Sequence, residues 1–180
     1  YSAYGITASL PAMEMLKITA TGVVSGLSCG LLSVGVLPIW EMMFSLSTPS
    51  KLLELANPGG TLLKRLMMEA PGTYHHSAVT ANLAEAGCEA IGADALLARV
   101  AAYYHDIGKL YNPVMFKENQ MGGENPHDKL TPEESAEILK NHVVFGGKLA
   151  DKYKLPRKIK DIILQHHGTS QMGYFLYKAK

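Results

Sequence analysis

The sequence predicts an all-α protein, a helical bundle preceded by one membrane-spanning helix. Three observations carry the prediction. A run of 23 residues at positions 18–40, ITATGVVSGLSCGLLSVGVLPIW, holds no charged side chain. Beyond it, stretches with apolar residues at helical spacing are separated by clear start and stop signals. No alternating run of β-branched residues interrupts them, so nothing reads as a strand and helix must pack on helix.

Composition narrows the function. A chain of 180 residues can bury one real core and carry an attached piece. Its 17 Lys+Arg against 16 Asp+Glu leave a formal charge of +1. That balance offers no polyanion-binding surface, so neither DNA nor RNA is expected as a partner. Cys29 and Cys88 lie far apart with no CxxC spacing. A disulfide framework and a thiolate metal site are therefore excluded, and a reducing compartment fits better.

The elements follow in order. Residues 1–17 are expected to be the end of a preceding membrane segment or loop, the chain reading as part of a longer membrane protein. Residues 18–40 are long enough to span a bilayer, because about 20 helical residues rising about 1.5 Å each cross the hydrocarbon core. Gly22, Gly26 and Gly30 fall four apart on one face, where neighbouring membrane helices can approach closely. Trp40 sits where an interfacial aromatic would. The run outlasts the apolar core of a signal peptide and starts too late for one. A buried helix of a soluble protein is the competing reading. Membrane lipid is thus expected around residues 18–40, and Lys51, Lys64 and Arg65 after the span put the remainder in the cytoplasm. Residues 41–60 read as a linker with a domain boundary near residue 46. Pro49 and Pro58-Gly59-Gly60 bracket a short helix within it, Lys51 to Ala56.

Residues 61–180 form the folded domain. A helix from Thr61 to Glu69 is broken at Ala70-Pro71-Gly72, and a second runs from Thr73 to Ile91, before Gly92. Asp94 caps a third, which carries Leu96, Leu97, Val100, Ala101 and Tyr104 at helical spacing and is expected to run to Gly108. Thr131-Pro132-Glu133-Glu134 is a capping box with proline at the first helical position, opening a helix to about Tyr153. Pro156 opens the last, which stops at Gly168.

The chemistry lies in the histidines. There are seven, at positions 75, 76, 105, 127, 142, 166 and 167, all beyond the apolar run. One helical histidine is ordinarily a surface or satisfied core residue. Several on different helices are another matter, since a bundle holds metal by pointing imidazoles and carboxylates inward from facing helices. His76 lies near one helix start, His105-Asp106 closes the next, His142 lies on the capped helix, and His166-His167 precede a stopping glycine. Neighbours such as His166 and His167 diverge by about 100° around a helix, so both reach one site only from a helix end directed at it. For His75-His76 the helical phase does not choose; His75 is set aside.

The pattern His76, His105-Asp106, His142, His166-His167 resembles the HD superfamily of metal-dependent phosphohydrolases. The blocks EAPGTYHHS (69–77), YYHDIGKL (103–110), ENQMGGENPHDKLTP (118–132), NHV (141–143) and QHHGT (165–169) are similar to the cytoplasmic domain of seven-transmembrane HD proteins of the PgpH type, which are cyclic di-AMP phosphodiesterases. The resemblance covers residues 47–180, and the apolar run is similar to that family's last membrane helix. It implies a helical HD-domain bundle with a dinuclear metal site, in a multi-pass protein of a bacterial cell membrane. His76, His105 and Asp106 would hold one divalent ion, and Asp106 would bridge to a second held by His142, His166 and His167. Imidazole and carboxylate donors suit iron or manganese. A metal-bridged hydroxide would open cyclic di-AMP to linear pApA.

Asp106 and Lys109 would then be catalytic, with Lys109 also neutralising substrate phosphate or instead favouring a helix C-terminus. His127 in NPHD would line the substrate pocket or pin its loop. A homodimer is admitted as a further association. In this family another Asp, downstream of the paired histidines, completes the first metal site; the residues up to Lys180 contain no match, and Asp161 sits too early. The rival readings are a cyclic di-GMP phosphodiesterase of the HD-GYP group, disfavoured by GTSQMGYF after the paired histidines, and a di-iron oxygenase on an HD scaffold.

Overall fold

The structure, a computed structural model, describes residues 11–44 and 47–178. The described residues are helical with no strand, in two units. Residues 1–10 of the expected leading segment, and the boundary expected near residue 46, fall outside the described residues.

The first unit is a single helix, α1 (Ala12–Phe44), longer at both ends than the run read as the span. Its stretch Ala12–Glu41 is long and apolar enough to cross a membrane. At about 1.5 Å per residue it reaches about 45 Å. Near its start polar side chains are satisfied within the helix: the hydroxyls of Thr19 and Thr21 donate to the carbonyls of Met15 and Lys17, and Lys17 pairs with Glu14 at 3.1 Å. At the far end Trp40 stacks on Phe44, one turn on, so the helix continues past residue 40.

The second unit begins with α2 (Pro49–Leu55), whose first turn is capped by the Thr48 hydroxyl accepting from the Lys51 amide. It starts two residues before the expected helix because Pro49 occupies the first helical position, where its missing N–H costs nothing. Helix α3 (Thr61–Glu69) has the expected bounds. Helix α4 (Pro71–Ala90) repeats the lesson of α2: Pro71, read as part of a break, starts the helix. Helix α5 (Ala95–Tyr104) is capped as expected, with the Asp94 carboxylate accepting from the Leu97 amide at 3.0 Å. It stops at Tyr104, however, and not at Gly108. His105 and Asp106 form a turn, and a 3-10 helix (Ile107–Tyr111) follows. Three more 3-10 pieces (Pro113–Met115, Lys117–Asn119, Pro126–Lys129) bridge to α6 (Pro132–Lys152).

The capping box is complete: Thr131 Oγ1 accepts from the Glu134 amide at 3.2 Å, and Glu134 Oε2 accepts from the Thr131 amide at 2.8 Å. Helix α7 (Arg157–Gln165) takes Pro156 as its N-cap rather than its first residue. It ends at Gln165, short of the expected Gly168; a turn from His166 carries the chain to Gly168 at φ +54°, and a short helix α8 (Gly173–Lys178), absent from the sequence reading, ends the described chain.

Leu63, Leu66, Val100, Ile107, Ile159 and Ile163 are wholly buried and form the centre of the core. Tyr104 ties α5 to α2 by donating to the Leu55 carbonyl at 3.0 Å. Two close approaches place the 3-10 segment and α7 against α6. A Cβ on Gly108 would lie 1.7 Å from the His142 carbonyl oxygen, and one on Gly146 would lie 2.7 Å from the Ile163 side chain. Hence α5 cannot run straight on: the chain leaves the helix to lay Gly108 on α6.

Candidate metal centre

The packing brings helix ends to one place. His105 is the C-cap residue of α5 and His166 that of α7, while Asp106 opens the 3-10 helix between α5 and α6. His142 stands on the buried face of α6, one turn before Gly146. Two helix C-termini therefore point their negative dipole ends at the site, which favours a cation.

Three of the imidazoles are aimed in the same way. His105 Nδ1 donates to the Ala102 carbonyl at 2.7 Å, His166 Nδ1 to the Ile163 carbonyl at 2.8 Å, and His142 Nδ1 to the Leu139 carbonyl. A carbonyl can only accept, so each Nδ1 carries a proton, and each ring when neutral presents a bare Nε2. These nitrogens converge. His142 Nε2 lies 3.3 Å from His166 Nε2 and 3.2 Å from His167 Nε2. The facing lone pairs of His142 and His166 repel at that distance unless a cation sits with them.

The ligand atoms form two overlapping sets, each mutually within 4.8 Å: Asp106, His142, His166 and His167, and His76, His105 and Asp106. Asp106 is common to both. Its Oδ2 lies 3.2 Å from His105 Nε2 and 2.8 Å from Lys109 Nζ. Its Oδ1 is buried and accepts no hydrogen bond, though His142 and His166 Nε2 lie 3.4 and 3.5 Å away. A buried carboxylate oxygen without a hydrogen is costly unless a cation takes it. The donor set and this oxygen therefore fit divalent metal ions.

The electrostatics agree. Burial works to raise the Asp106 pKa, but the imidazoles of His105 and His166 and the Lys109 ammonium outweigh it, holding the carboxyl far below the ordinary range. Burial lowers the pKa of His142 and His167, so both rings are neutral at pH 7, the form that binds metal. Burial also opposes the charged form of His105, but there Asp106 prevails and the pKa is raised.

All six residues read as ligands thus lie in the two sets. His75 is exposed and belongs to neither. His127 lies elsewhere in the loop, where its buried ring donates from Nε2 to the Met115 carbonyl at 2.9 Å. Lys109, at 14% side-chain exposure, spans Asp106 Oδ2 and Glu118 Oε1 at 2.8 and 2.6 Å. The sequence reading missed Glu118, Asn119 and Thr73. Thr73 Oγ1 donates to Glu118 Oε1 at 3.1 Å and accepts from Asn119 Nδ2 at 2.8 Å. All three lie within the blocks EAPGTYHHS and ENQMGGENPHDKLTP that carried the family resemblance, but no role was given to them there.

Comparison with known proteins joins this geometry to a family. The chain is 48% identical over 172 residues to the Cyclic-di-AMP phosphodiesterase PgpH of Bacillus subtilis, covering 96% of this chain and 24% of that protein. It is 52% identical over 155 residues to the protein of the same name from Listeria monocytogenes, covering 86% of this chain and 22% of that one. The chain thus spans about a quarter of the length of these relatives. Among solved structures it is similar to the L. monocytogenes phosphodiesterase PgpH HD domain in complex with cyclic-di-AMP, with TM-score 0.67 and 53% identity, covering 69% of this chain and 58% of that one. Residues 73–178 match the HD domain, a span running from the hydroxyl that Glu118 accepts to the last described helix and enclosing every residue of both ligand sets; the chain belongs to the HD domain family.

Proposed function

We propose that this chain is the HD domain, with its preceding membrane helix, of a metal-dependent phosphodiesterase that hydrolyses cyclic di-AMP to linear pApA. The observation that carries the reading is the pair of ligand sets sharing Asp106, with bare Nε2 atoms facing one another. Two relatives named cyclic-di-AMP phosphodiesterase, and a structural neighbour that is a cyclic-di-AMP complex, support the choice of substrate.

In this reading His76, His105 and Asp106 hold one divalent ion, and Asp106, His142, His166 and His167 the other, iron or manganese suiting these donors. Bound there, two such ions lower the pKa of water and neutralise charge on phosphate oxygens. The chain's own residues do the rest. The carbonyls of Ala102, Leu139 and Ile163 keep the Nδ1 protons and hold the rings in one tautomer. Lys109 holds Asp106 and Glu118 with two of its three N–H groups, leaving the third to meet a phosphate oxygen. His127 pins the 3-10 turn Pro113–Met115, just ahead of the turn Lys117–Asn119 that carries Glu118, and so shapes the rim of the site. We also place α1 in a bacterial membrane of a multi-pass protein, with the HD domain on the cytoplasmic side. The apolar stretch Ala12–Glu41 and the basic residues Lys51, Lys64 and Arg65 beyond it support this.

The test is turnover. The full chain, purified in detergent and loaded with Mn2+, is incubated with cyclic di-AMP or cyclic di-GMP and the products are separated by chromatography. Linear pApA should form with Mn2+ and vanish with chelator or with Asp106→Asn. Protein with two ions bound that leaves cyclic di-AMP intact would sink the reading; turnover of cyclic di-GMP alone would move the substrate.

A further inference from the structure

The loop residue Glu118 occupies a place that the metal ligands do not explain. Its Oε1 takes two donors, Lys109 Nζ at 2.6 Å and Thr73 Oγ1 at 3.1 Å. Lys109 is in turn 2.8 Å from Asp106 Oδ2, the carboxylate common to both ligand sets. Thr73 is wholly buried three residues before His76, and its amide donates to Asn119 Oδ1 at 3.0 Å. The backbone presses in as well: a Cβ on Gly72 would lie 1.8 Å from the Glu118 carbonyl oxygen. The 3-10 turn at 117–119 is therefore fastened to the first turn of α4, and its one carboxylate is delivered to Lys109.

An ammonium beside Asp106 is a rival for any cation that carboxylate would bind. Like charges a few ångströms apart in a partly buried site repel, and each extra cation lowers the affinity for the next. Glu118 offsets that charge and gives Lys109 an acceptor other than Asp106. We propose that Glu118 is a positioning residue which, through Lys109, keeps Asp106 available to metal. The inference rests on the metal-centre reading above and adds to it a residue outside the ligand set.

The experiment is calorimetric titration of Mn2+ into the full chain in detergent, with chelated protein as the starting state. The variants are Glu118→Gln, Glu118→Asp, Lys109→Met, the double variant Glu118→Gln/Lys109→Met, and Thr73→Val. Glutamine keeps the shape and both hydrogen bonds of Glu118 but loses its charge. Glu118→Gln should weaken Mn2+ binding about tenfold, the size of one partly screened charge pair. In the Lys109→Met background the same substitution should change nothing, because the charge it offsets has gone. Glu118→Asp should recover most of the affinity. Thr73→Val, which breaks the strap and leaves the charge, should lower the melting temperature with Mn2+ affinity retained. Unchanged affinity in Glu118→Gln overturns the proposal, and so does an equal loss with and without Lys109. Wild-type protein that binds Mn2+ but leaves cyclic di-AMP intact refutes the activity; the affinity ratios judge Glu118 separately.

Discussion

Gly108→Ala is the sharpest probe of how the site is built. The added Cβ would lie 1.7 Å from the His142 carbonyl oxygen and 2.6 Å from the Gly146 amide nitrogen, both backbone atoms that cannot rotate away. Real Cβ atoms essentially never come within 3.0 Å of a neighbour, so the 3-10 segment and α6 must part by at least 1.3 Å, from 1.7 to 3.0 Å. Overpacking of this kind costs about 1–3 kcal/mol. For a domain of this size each kcal/mol lowers Tm by roughly 2–4 °C, so the metal-free protein should melt roughly 2–12 °C lower. The same shift separates Asp106 from His142, whose Nε2 lies 3.4 Å from Asp106 Oδ1. Metal–ligand distances tolerate only about 0.2 Å, so Mn2+ affinity should fall by a factor on the order of 10–100. Circular-dichroism melts in chelator and Mn2+ titration read the two effects. Gly87→Ala is the control: its Cβ meets nothing within 4 Å in the last turn of α4, and it should stabilise by up to about 0.5–1 kcal/mol. If Gly108→Ala melts within about 1 °C of wild type and binds Mn2+ as tightly, the close approach does not hold the site together.

Other perturbations reach the same site by different routes. Mn2+ at about 100 times its Kd should stabilise wild type by about 2.7 kcal/mol, visible as a raised Tm; the shift should be lost in His142→Ala, and an equal shift there would remove His142 from the ligand set. In metal-free protein the folded pKa of Asp106 lies below its unfolded value. Its contribution is therefore present above the ordinary carboxylate range and lost as pH falls below about 4, by at most about 1.4 kcal/mol per pH unit. Urea midpoints should drop between pH 5 and 3 in wild type by more than in Asp106→Asn; parallel drops would contradict the assignment. Phe145→Ala should remove the ring that Tyr111 stacks on at 3.7 Å between centroids, costing about 0.5–1.5 kcal/mol beyond lost burial and leaving Mn2+ affinity unchanged.

What could be read from the sequence was what short-range chemistry determines. The capping box at Thr131–Glu134, the Asp94 cap and the bounds of Thr61–Glu69 rest on bonds between residues three or four apart, and the residue types announce them. The end of α5 does not. Tyr104 is followed by residues that could continue a helix, and what stops it is Gly108 against α6, a contact across more than 30 positions. The six ligand candidates could be named from residue type and family resemblance, but periodicity could not choose His76 over His75, because that depends on where α4 packs. Glu118 stayed hidden for the same reason: its partner Thr73 lies 45 positions away, and a glutamate in a polar loop looks like any solvated charge. The proline starts at Pro49 and Pro71 were misplaced by reading proline as a breaker where it was a first residue.

The three imidazoles that donate Nδ1 to a carbonyl three residues back on their own chain have one further consequence. Each ligand carries its own gunsight within a single turn, so no distant side chain has to hold it straight. Accuracy at the centre is thereby handed to the way whole helices rest on one another. Metal affinity then follows how the helices sit: a remote change that rocks α6 against α7 detunes the centre, while a change that leaves the helices seated does not. The binding geometry is also prepaid by folding, so a metal-free chain should already hold most of its ligands where they are needed.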